Sequence, residues 1–168
     1  MRAKEPIFKA VFIGDQGVGK TSLITRYATS AFKTDYLPTL GANIVAKEVS
    51  TEGRIVTLIL WDIAGQERFS AVRDKYYNGA SLAAVVYDVA AQGTLKNVKN
   101  WLNDVKRYAP KKVPVVLVGN KIDLPGRAVS EQEGAKLAKE IGAVFVETSA
   151  KTGENVRKLF EKLLGLLI

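Results

Sequence analysis

The chain has 168 residues, enough for one domain with a continuous core, and its 47% apolar and 25% charged residues are the balance of a globular protein. It holds no cysteine and no histidine, which excludes disulfides, soft-ligand zinc sites and Cys–His or Ser–His chemistry while permitting a reducing compartment. No apolar run nears the roughly 18 residues of a membrane span. Residues Met1 to Pro6 are too short and charged for a signal peptide, and a net charge of +8 leaves a polyanionic partner open.

The first apolar run, Phe8–Ile13, reads as a strand buried on both faces. Gly14-Asp15-Gln16-Gly17-Val18-Gly19-Lys20-Thr21 follows at once and fits G-x-x-x-x-G-K-[ST], lying between a strand and a helix as that motif requires. Its glycines let the backbone curl N–H groups toward phosphate oxygens, and the helix behind adds its positive end. Lys20 would reach the β- and γ-phosphates, and the Thr21 hydroxyl would bind Mg²⁺. A flexible glycine turn with a solvent-facing lysine is the bland alternative, and the flanking elements argue against it. The motif gives a nucleotide phosphate site without saying which nucleotide.

Asn43–Ser50 and Arg54–Trp61, the latter ending the apolar run Val56–Trp61, are separated only by Thr51-Glu52-Gly53 and predict an antiparallel hairpin. The polar stretch Asp62 to Glu67 comes next, then a further strand at Leu82–Tyr87. Leu95, Val98, Trp101, Leu102, Val105 and Ala109 trace one helical stripe. Lys96, Lys99 and Lys106 share another side of that helix, and Arg107, Lys111 and Lys112 follow; a solvated face is the first reading, an anionic membrane or acidic partner the second. No aromatic residue shares the helix side of Lys96, Lys99 and Lys106, as a stacking surface would need, so nucleic acid is not expected.

After the strand Val113–Val118 stands Asn120-Lys121-Ile122-Asp123. A carboxylate there can accept two hydrogen bonds from the N1–H and N2–H₂ edge of guanine, donors that adenine lacks. The string alone is weak, since these residues also populate turns; at a strand end downstream of a phosphate loop it is strong. Ser130 with Glu133 forms a capping box for the helix carrying Leu137, Ala138 and Ile141. The last strand is Ala143–Val146, followed by Thr148 to Lys151 and a stripe of Val156, Leu159, Phe160, Leu163, Leu164 and Leu167.

The alternation predicts an α/β domain with a mostly parallel six-stranded sheet, one antiparallel hairpin strand and helices on both faces. Ligands of such sheets sit beyond the carboxyl ends of the strands, where all four polar clusters fall, so they make one site.

The phosphate loop, Asn120-Lys121-Ile122-Asp123 and Glu147-Thr148-Ser149-Ala150-Lys151 together resemble the Ras-superfamily small GTPases, in order and spacing over essentially the whole chain. Trp61-Asp62-Ile63-Ala64-Gly65-Gln66-Glu67-Arg68-Phe69, followed by Tyr76-Tyr77-Asn78-Gly79-Ala80, resembles the Rab branch. The resemblance implies the P-loop NTPase fold in a single G domain over residues 1–168. It implies a molecular switch that hydrolyses GTP to GDP with Mg²⁺, cycling between an effector-binding GTP form and an inactive GDP form, in Rab-like membrane trafficking. It implies that Asp15, Gln16, Gly17, Val18, Gly19, Lys20, Thr21 and Ser22 surround the phosphates and that Asp62 holds the Mg²⁺ shell through water. Gly65 would offer its N–H to the γ-phosphate, and Gln66 would orient the attacking water. Thr39, in Tyr36-Leu37-Pro38-Thr39, would close over the nucleotide with its hydroxyl on Mg²⁺, and Tyr36 would contact the nucleotide beside it. Phe32 would pack against the base and the Lys121 stem would cover its opposite face, while Ala150 would donate to the guanine oxygen, braced by Ser149 and Lys151.

Phosphoryl transfer to water relies on positioning and charge neutralisation. No arginine lies between Phe32 and Thr39 to act in cis, so slow intrinsic hydrolysis, raised by a partner's arginine, is expected. Loss of the γ-phosphate should release the loops holding Thr39 and Gly65. Effectors would read Leu40–Val49 and Trp61–Tyr77, and an exchange factor and a GTPase-activating protein are implied. The expected protein is a cytoplasmic monomer, at the cytoplasmic face of a membrane if an anchor is present.

Three features depart from the pattern. Gln16 stands where many Ras relatives have glycine, which bears on hydrolysis rather than binding. Leu40-Gly41-Ala42-Asn43-Ile44 differs from the usual Rab run, so partners cannot be borrowed from the family. The sequence ends at Ile168 without the prenylated cysteines of a Rab tail, which fits either a trimmed domain or a lipid-free relative; Leu163–Ile168 is assigned to helix packing rather than a membrane. Two other functions compete: a non-hydrolysing GTP-bound scaffold, and a P-loop kinase, which the Asn-Lys-x-Asp run and the lack of an arginine-rich lid disfavour.

Overall fold

The computed structural model describes residues 4–29, 41–65, 75–109 and 111–168. Phe32, Tyr36, Thr39 and Gln66 lie outside the described residues. The elements in chain order are β1 (Ile7–Ile13), α1 (Lys20–Thr29), β2 (Ala42–Thr51), β3 (Arg54–Ile63) and β4 (Leu82–Asp88). They continue with α2 (Gln92–Lys96), α3 (Val98–Tyr108), β5 (Val115–Asn120), α4 (Glu131–Ile141), β6 (Val144–Thr148) and α5 (Val156–Leu167).

Valine- and alanine-rich β4 is buried at every position but Asp88, the signature of a strand covered on both faces. Accordingly it lies inside a six-stranded sheet of order β2-β3-β1-β4-β5-β6. Among the described strands only the β2–β3 pair is antiparallel; β1 runs parallel to β3 and β4, and the parallel run continues through β5 to β6. Because the chain leaves β1 first toward β3 and then toward β4, the order reverses at β1, and a crevice opens at its carboxyl end.

Helices cover both faces, as the alternation predicts. On one side Leu23 and Ile24 of α1 and Leu159, Phe160 and Leu163 of α5 pack on Phe12, Leu58, Leu60 and Val118. On the other, Leu95 of α2, Val98, Trp101 and Val105 of α3 and Ala138 of α4 pack on Val11, Ile13, Val85 and Leu117. Phe160 stacks on Tyr27 with ring centroids 3.6 Å apart, joining α5 to α1, and burial of such a ring contributes about 1.5–3 kcal/mol.

Local chemistry sets several boundaries. The β2–β3 turn is shorter than the sequence suggests: Thr51 pairs with Arg54, leaving Glu52 (φ 49°) and Gly53 (φ 74°) as a two-residue turn with both centres left-handed, which matches strand twist. The stripe from Leu95 to Ala109 divides at Asn97, which ends α2 and caps α3; β5 begins at Val115 because Pro114 has no N–H for the ladder, and β6 at Val144 because the Ala143 N–H donates to the Ala138 carbonyl at 2.8 Å instead. The α4 capping box is present, the Ser130 hydroxyl accepting from the Glu133 N–H at 3.1 Å, and left-handed Gly142 closes the other end.

Lys96, Lys99, Lys106, Arg107, Lys111 and Lys112 are all exposed, as a solvated face requires. Among the described residues no helix is long and apolar enough to cross a membrane.

Candidate functional site

The crevice is built from the ends of β1, β3, β5 and β6. β1 stops at Ile13, the glycine-rich loop turns, and α1 begins at Lys20. Lys20 is 6% exposed, and its Nζ donates to the carbonyls of Gly14 at 2.7 Å and Asp15 at 2.8 Å, so the ammonium is held within the loop it serves. Gly19 has φ of 102° and lies against the Asn120 amide, leaving no room for a Cβ.

The Thr21 hydroxyl donates to Asp62 Oδ2, and Asp62 is 1% exposed near the end of β3. A hydroxyl beside a buried carboxylate is a hard-oxygen pair of the kind Mg²⁺ takes when phosphate and water supply its other ligands, so these residues fit the ion. Among the described residues no group of three or more Asp, Glu, His or Cys could hold a metal by itself. Beyond β3 the Gly65 peptide rests on the loop: a Cβ there would come within 2.5 Å of both the Gln16 nitrogen and the Gly14 carbonyl oxygen. The Ala64 N–H donates to the Gly41 carbonyl at 2.8 Å, fastening the chain that follows residue 40 to the chain that precedes residue 66.

Asn120, at the end of β5 and 1% exposed, pins three segments together. Its Nδ2 donates to the Val18 carbonyl at 3.0 Å, while its Oδ1 accepts from the Thr148 hydroxyl at 3.0 Å and the Ala150 N–H at 3.2 Å. The Ala150 N–H assigned to guanine therefore also supports Asn120. Asp123 Oδ1 accepts from the Ser149 hydroxyl at 2.7 Å, and that hydroxyl accepts from the Thr152 N–H at 3.0 Å. Lys121, left-handed at φ 72°, sets its ammonium 3.1 Å from Asp88 at the end of β4. Gln16, Thr21, Asp123 and Lys151 are exposed around the rim, Ser22 and Gly17 are half-buried, and Val18, Ser149 and Ala150 are buried.

Among the described residues assigned to the site, the structure links Asn120 to Val18 and Ala150, Asp123 to Ser149, Thr21 to Asp62, and Gly65 and Lys20 to the phosphate loop. It also shows supports the sequence did not reveal. Arg26, farther along α1, donates to the Lys151 and Thr152 carbonyls at 3.5 and 3.2 Å. Arg127 grips Glu147 at 2.8 and 3.1 Å, and this hydrogen bonding raises the guanidinium pKa. The Asp15 carboxylate accepts from Asn97 Nδ2 at 2.8 Å and Trp101 Nε1 at 2.9 Å. The only sequence signal for that pair is the four-residue spacing of Asn97 and Trp101, which sets them on one side of the helix.

A phosphate loop carrying its lysine, closed beneath by a hydroxyl–carboxylate pair and cross-braced to a second loop by one asparagine, defines a P-loop nucleotide-binding α/β protein. Comparison with known proteins takes the assignment further: the profile of the Ras family matches residues 9–167. The "Ras-related protein RIC1" of Oryza sativa subsp. japonica is 46% identical over 160 residues, covering 95% of this chain and 79% of that one. The chain belongs to the Ras family. It is accordingly a GTPase and a GTP-binding switch, one that takes guanine nucleotides and works with regulators or effectors.

Proposed function

We propose that this single G domain is a Rab-like switch of membrane trafficking, whose GTP form is read by effectors on the face formed by β2, β3 and the segment that follows. The observation that carries the switch is the junction at Gly65. Its peptide is packed on the phosphate loop, and the neighbouring Ala64 is bonded to Gly41, so residues 41 and 64–65 are fastened together against the loop. The Rab assignment draws support from the residues quoted for that branch: Trp61 lies 6.0 Å from the Tyr76 ring, with the Lys9 ammonium 3.8 Å over the indole.

In this reading Lys20 and the loop amides neutralise the β- and γ-phosphates, and Ser22 lies beside them in the first turn of α1. Thr21, Asp62 and Thr39 hold Mg²⁺, which when bound supplies further charge neutralisation to the phosphates. Gly65 donates its N–H to the γ-phosphate and Gln66 orients water. Asp123 reads the guanine edge, Phe32 and the Lys121 stem sandwich the base, Tyr36 contacts the nucleotide, and Ser149, Ala150 and Lys151 complete the base loop. The protein acts as a monomer in the cytoplasm, served by an exchange factor and an activating protein, and reaches a membrane only through an anchor.

The test is single-turnover hydrolysis of bound GTP by purified wild type beside Gln66→Leu, with the nucleotide identified by chromatography. Slow decay in wild type, largely abolished by the substitution, is expected. GTP that persists equally in both sinks the hydrolytic switch in favour of a scaffold, and adenine nucleotide in the samples overturns the reading of Asp123.

A further inference from the structure

The phosphate loop carries an acidic residue at Asp15, next to the glycine whose carbonyl holds Lys20. A carboxylate in a loop that must receive a polyphosphate is an electrostatic liability, because like charges in a partly buried setting repel strongly. The structure gives that carboxylate two N–H donors from another part of the chain. Asn97 Nδ2 reaches Oδ2 at 2.8 Å and Trp101 Nε1 reaches Oδ1 at 2.9 Å, so each carboxylate oxygen has its own donor.

The donors are well fixed. Asn97 and Trp101 stand four residues apart, and the Trp101 N–H bonds back to the Asn97 carbonyl at 3.2 Å, so the junction of α2 and α3 presents both side chains on one side. Trp101 is 7% exposed and belongs to the core between α3 and the sheet, which fixes its indole. Meanwhile the Asp15 main chain faces other business: its carbonyl accepts from Lys20 Nζ at 2.8 Å, and its carbonyl carbon lies against Gly65. One residue therefore divides its two ends, the peptide toward the phosphate lysine and the side chain toward α3.

We infer that Asn97 and Trp101 are positioning residues for nucleotide binding: they hold the Asp15 carboxylate against α3 and spread its charge over two N–H groups, keeping it out of the phosphate field. They touch no substrate and act through Asp15. This rests on the proposed phosphate site, and it adds a specific expectation. With the donors gone, the carboxylate is released toward the phosphates; the more highly charged ligand then suffers more, so GTP retention falls further than GDP retention. Removing the carboxylate should repair the defect.

The experiment measures release of a fluorescent GTP analogue and of fluorescent GDP from the purified chain. The proteins are wild type, Asn97→Ala/Trp101→Phe, and the same pair with Asp15→Ala added. Trp101→Phe keeps the ring in the core and removes only the donor, and each variant is checked by thermal unfolding. If the pair does not fold, Trp101→Phe with and without Asp15→Asn carries the same comparison.

The expected result is release accelerated about tenfold or more in the pair, equal to ~1.4 kcal/mol, with the larger factor for the triphosphate. Adding Asp15→Ala should return both rates most of the way to wild type. A purely structural brace would also be relieved by removing Asp15, but its loss would speed GTP and GDP release by the same factor, so equal factors for the two nucleotides overturn the inference. Unchanged release in the pair, or a defect that Asp15→Ala leaves in place or deepens, overturns the inference while leaving the site reading intact. Failure of wild type itself to retain guanine nucleotide overturns the site reading and this inference with it.

Discussion

Replacing Asn120 by alanine tests the architecture most directly. The amide sits 1% exposed and satisfies the Val18 carbonyl, the Thr148 hydroxyl and the Ala150 N–H together. Each buried group left without a partner costs about 1–3 kcal/mol. The three share one network and do not add fully, so a loss of roughly 3–5 kcal/mol is expected. That is a large share of the ~5–15 kcal/mol that holds a domain folded. For a chain of this size each kcal/mol moves the unfolding midpoint about 2–4 °C, so a fall of roughly 6–20 °C is predicted. Midpoints must be compared at one fixed GDP concentration, because bound ligand adds its own stabilisation. Thr148→Val, which removes a single donor, should cost about 1 kcal/mol, and in the Asn120→Ala background it should cost less, because its partner is already gone. If Asn120→Ala melts within a degree or two of wild type and holds GDP as tightly, the claim that one amide braces both loops is wrong.

Three further outcomes are expected. Glu52 occupies a left-handed turn position at φ 49° that asparagine tolerates better, so Glu52→Asn should stabilise the chain by about 0.5–1 kcal/mol in thermal unfolding, and a destabilised variant would contradict the turn assignment. The Tyr87 hydroxyl is buried without a hydrogen-bond partner among the described residues, and burial, with Glu147 next in effect, raises its pKa well above 10.0. A raised folded pKa gives stability that is full below pH 10.0 and declines as the unfolded chain ionises above it, so Tyr87→Phe should match or exceed wild type near neutrality and lose less stability above pH 10.0. In Gly65→Ala the added carbon meets the loop at 2.5 Å, so single-turnover GTP hydrolysis should fall about tenfold or more, a barrier rise of ~1.4 kcal/mol, and wild-type turnover would show that the Gly65 contact is not used.

What the sequence disclosed follows from the reach of its signals. The phosphate loop and the Ser130–Glu133 box are local, made by neighbours along the chain, so spacing alone predicts them. The sheet was legible too, because valine-rich runs buried on both faces leave little choice of layer. The hairpin was placed correctly but its loop was read one residue too long, since nothing in Thr51 announces that it pairs with Arg54. The bracing was harder. Asn120 and Val18 are 102 residues apart, and Asp15 lies 86 from Trp101, so their bonds depend on which strands become neighbours, which no local pattern records. Asp15 looked like one more loop residue, and Trp101 like one more member of an apolar stripe. Thr39 and Gln66 keep their proposed roles from the family pattern.

Helix α1 has a consequence of its own. Its first residue, Lys20, lies in the phosphate loop, and Arg26 grips the carbonyls of Lys151 and Thr152 in the base loop. Six residues of helix make a rod about 9 Å long. On the proposed reading, the two halves of the nucleotide are captured at either end of one stiff strut, like two hooks on a single bar. Binding of the first half then sets the second at a high effective concentration, so guanosine and triphosphate offered separately should bind far more weakly than their joined affinities suggest. Slow release of the intact nucleotide would follow, because both hooks must open at once.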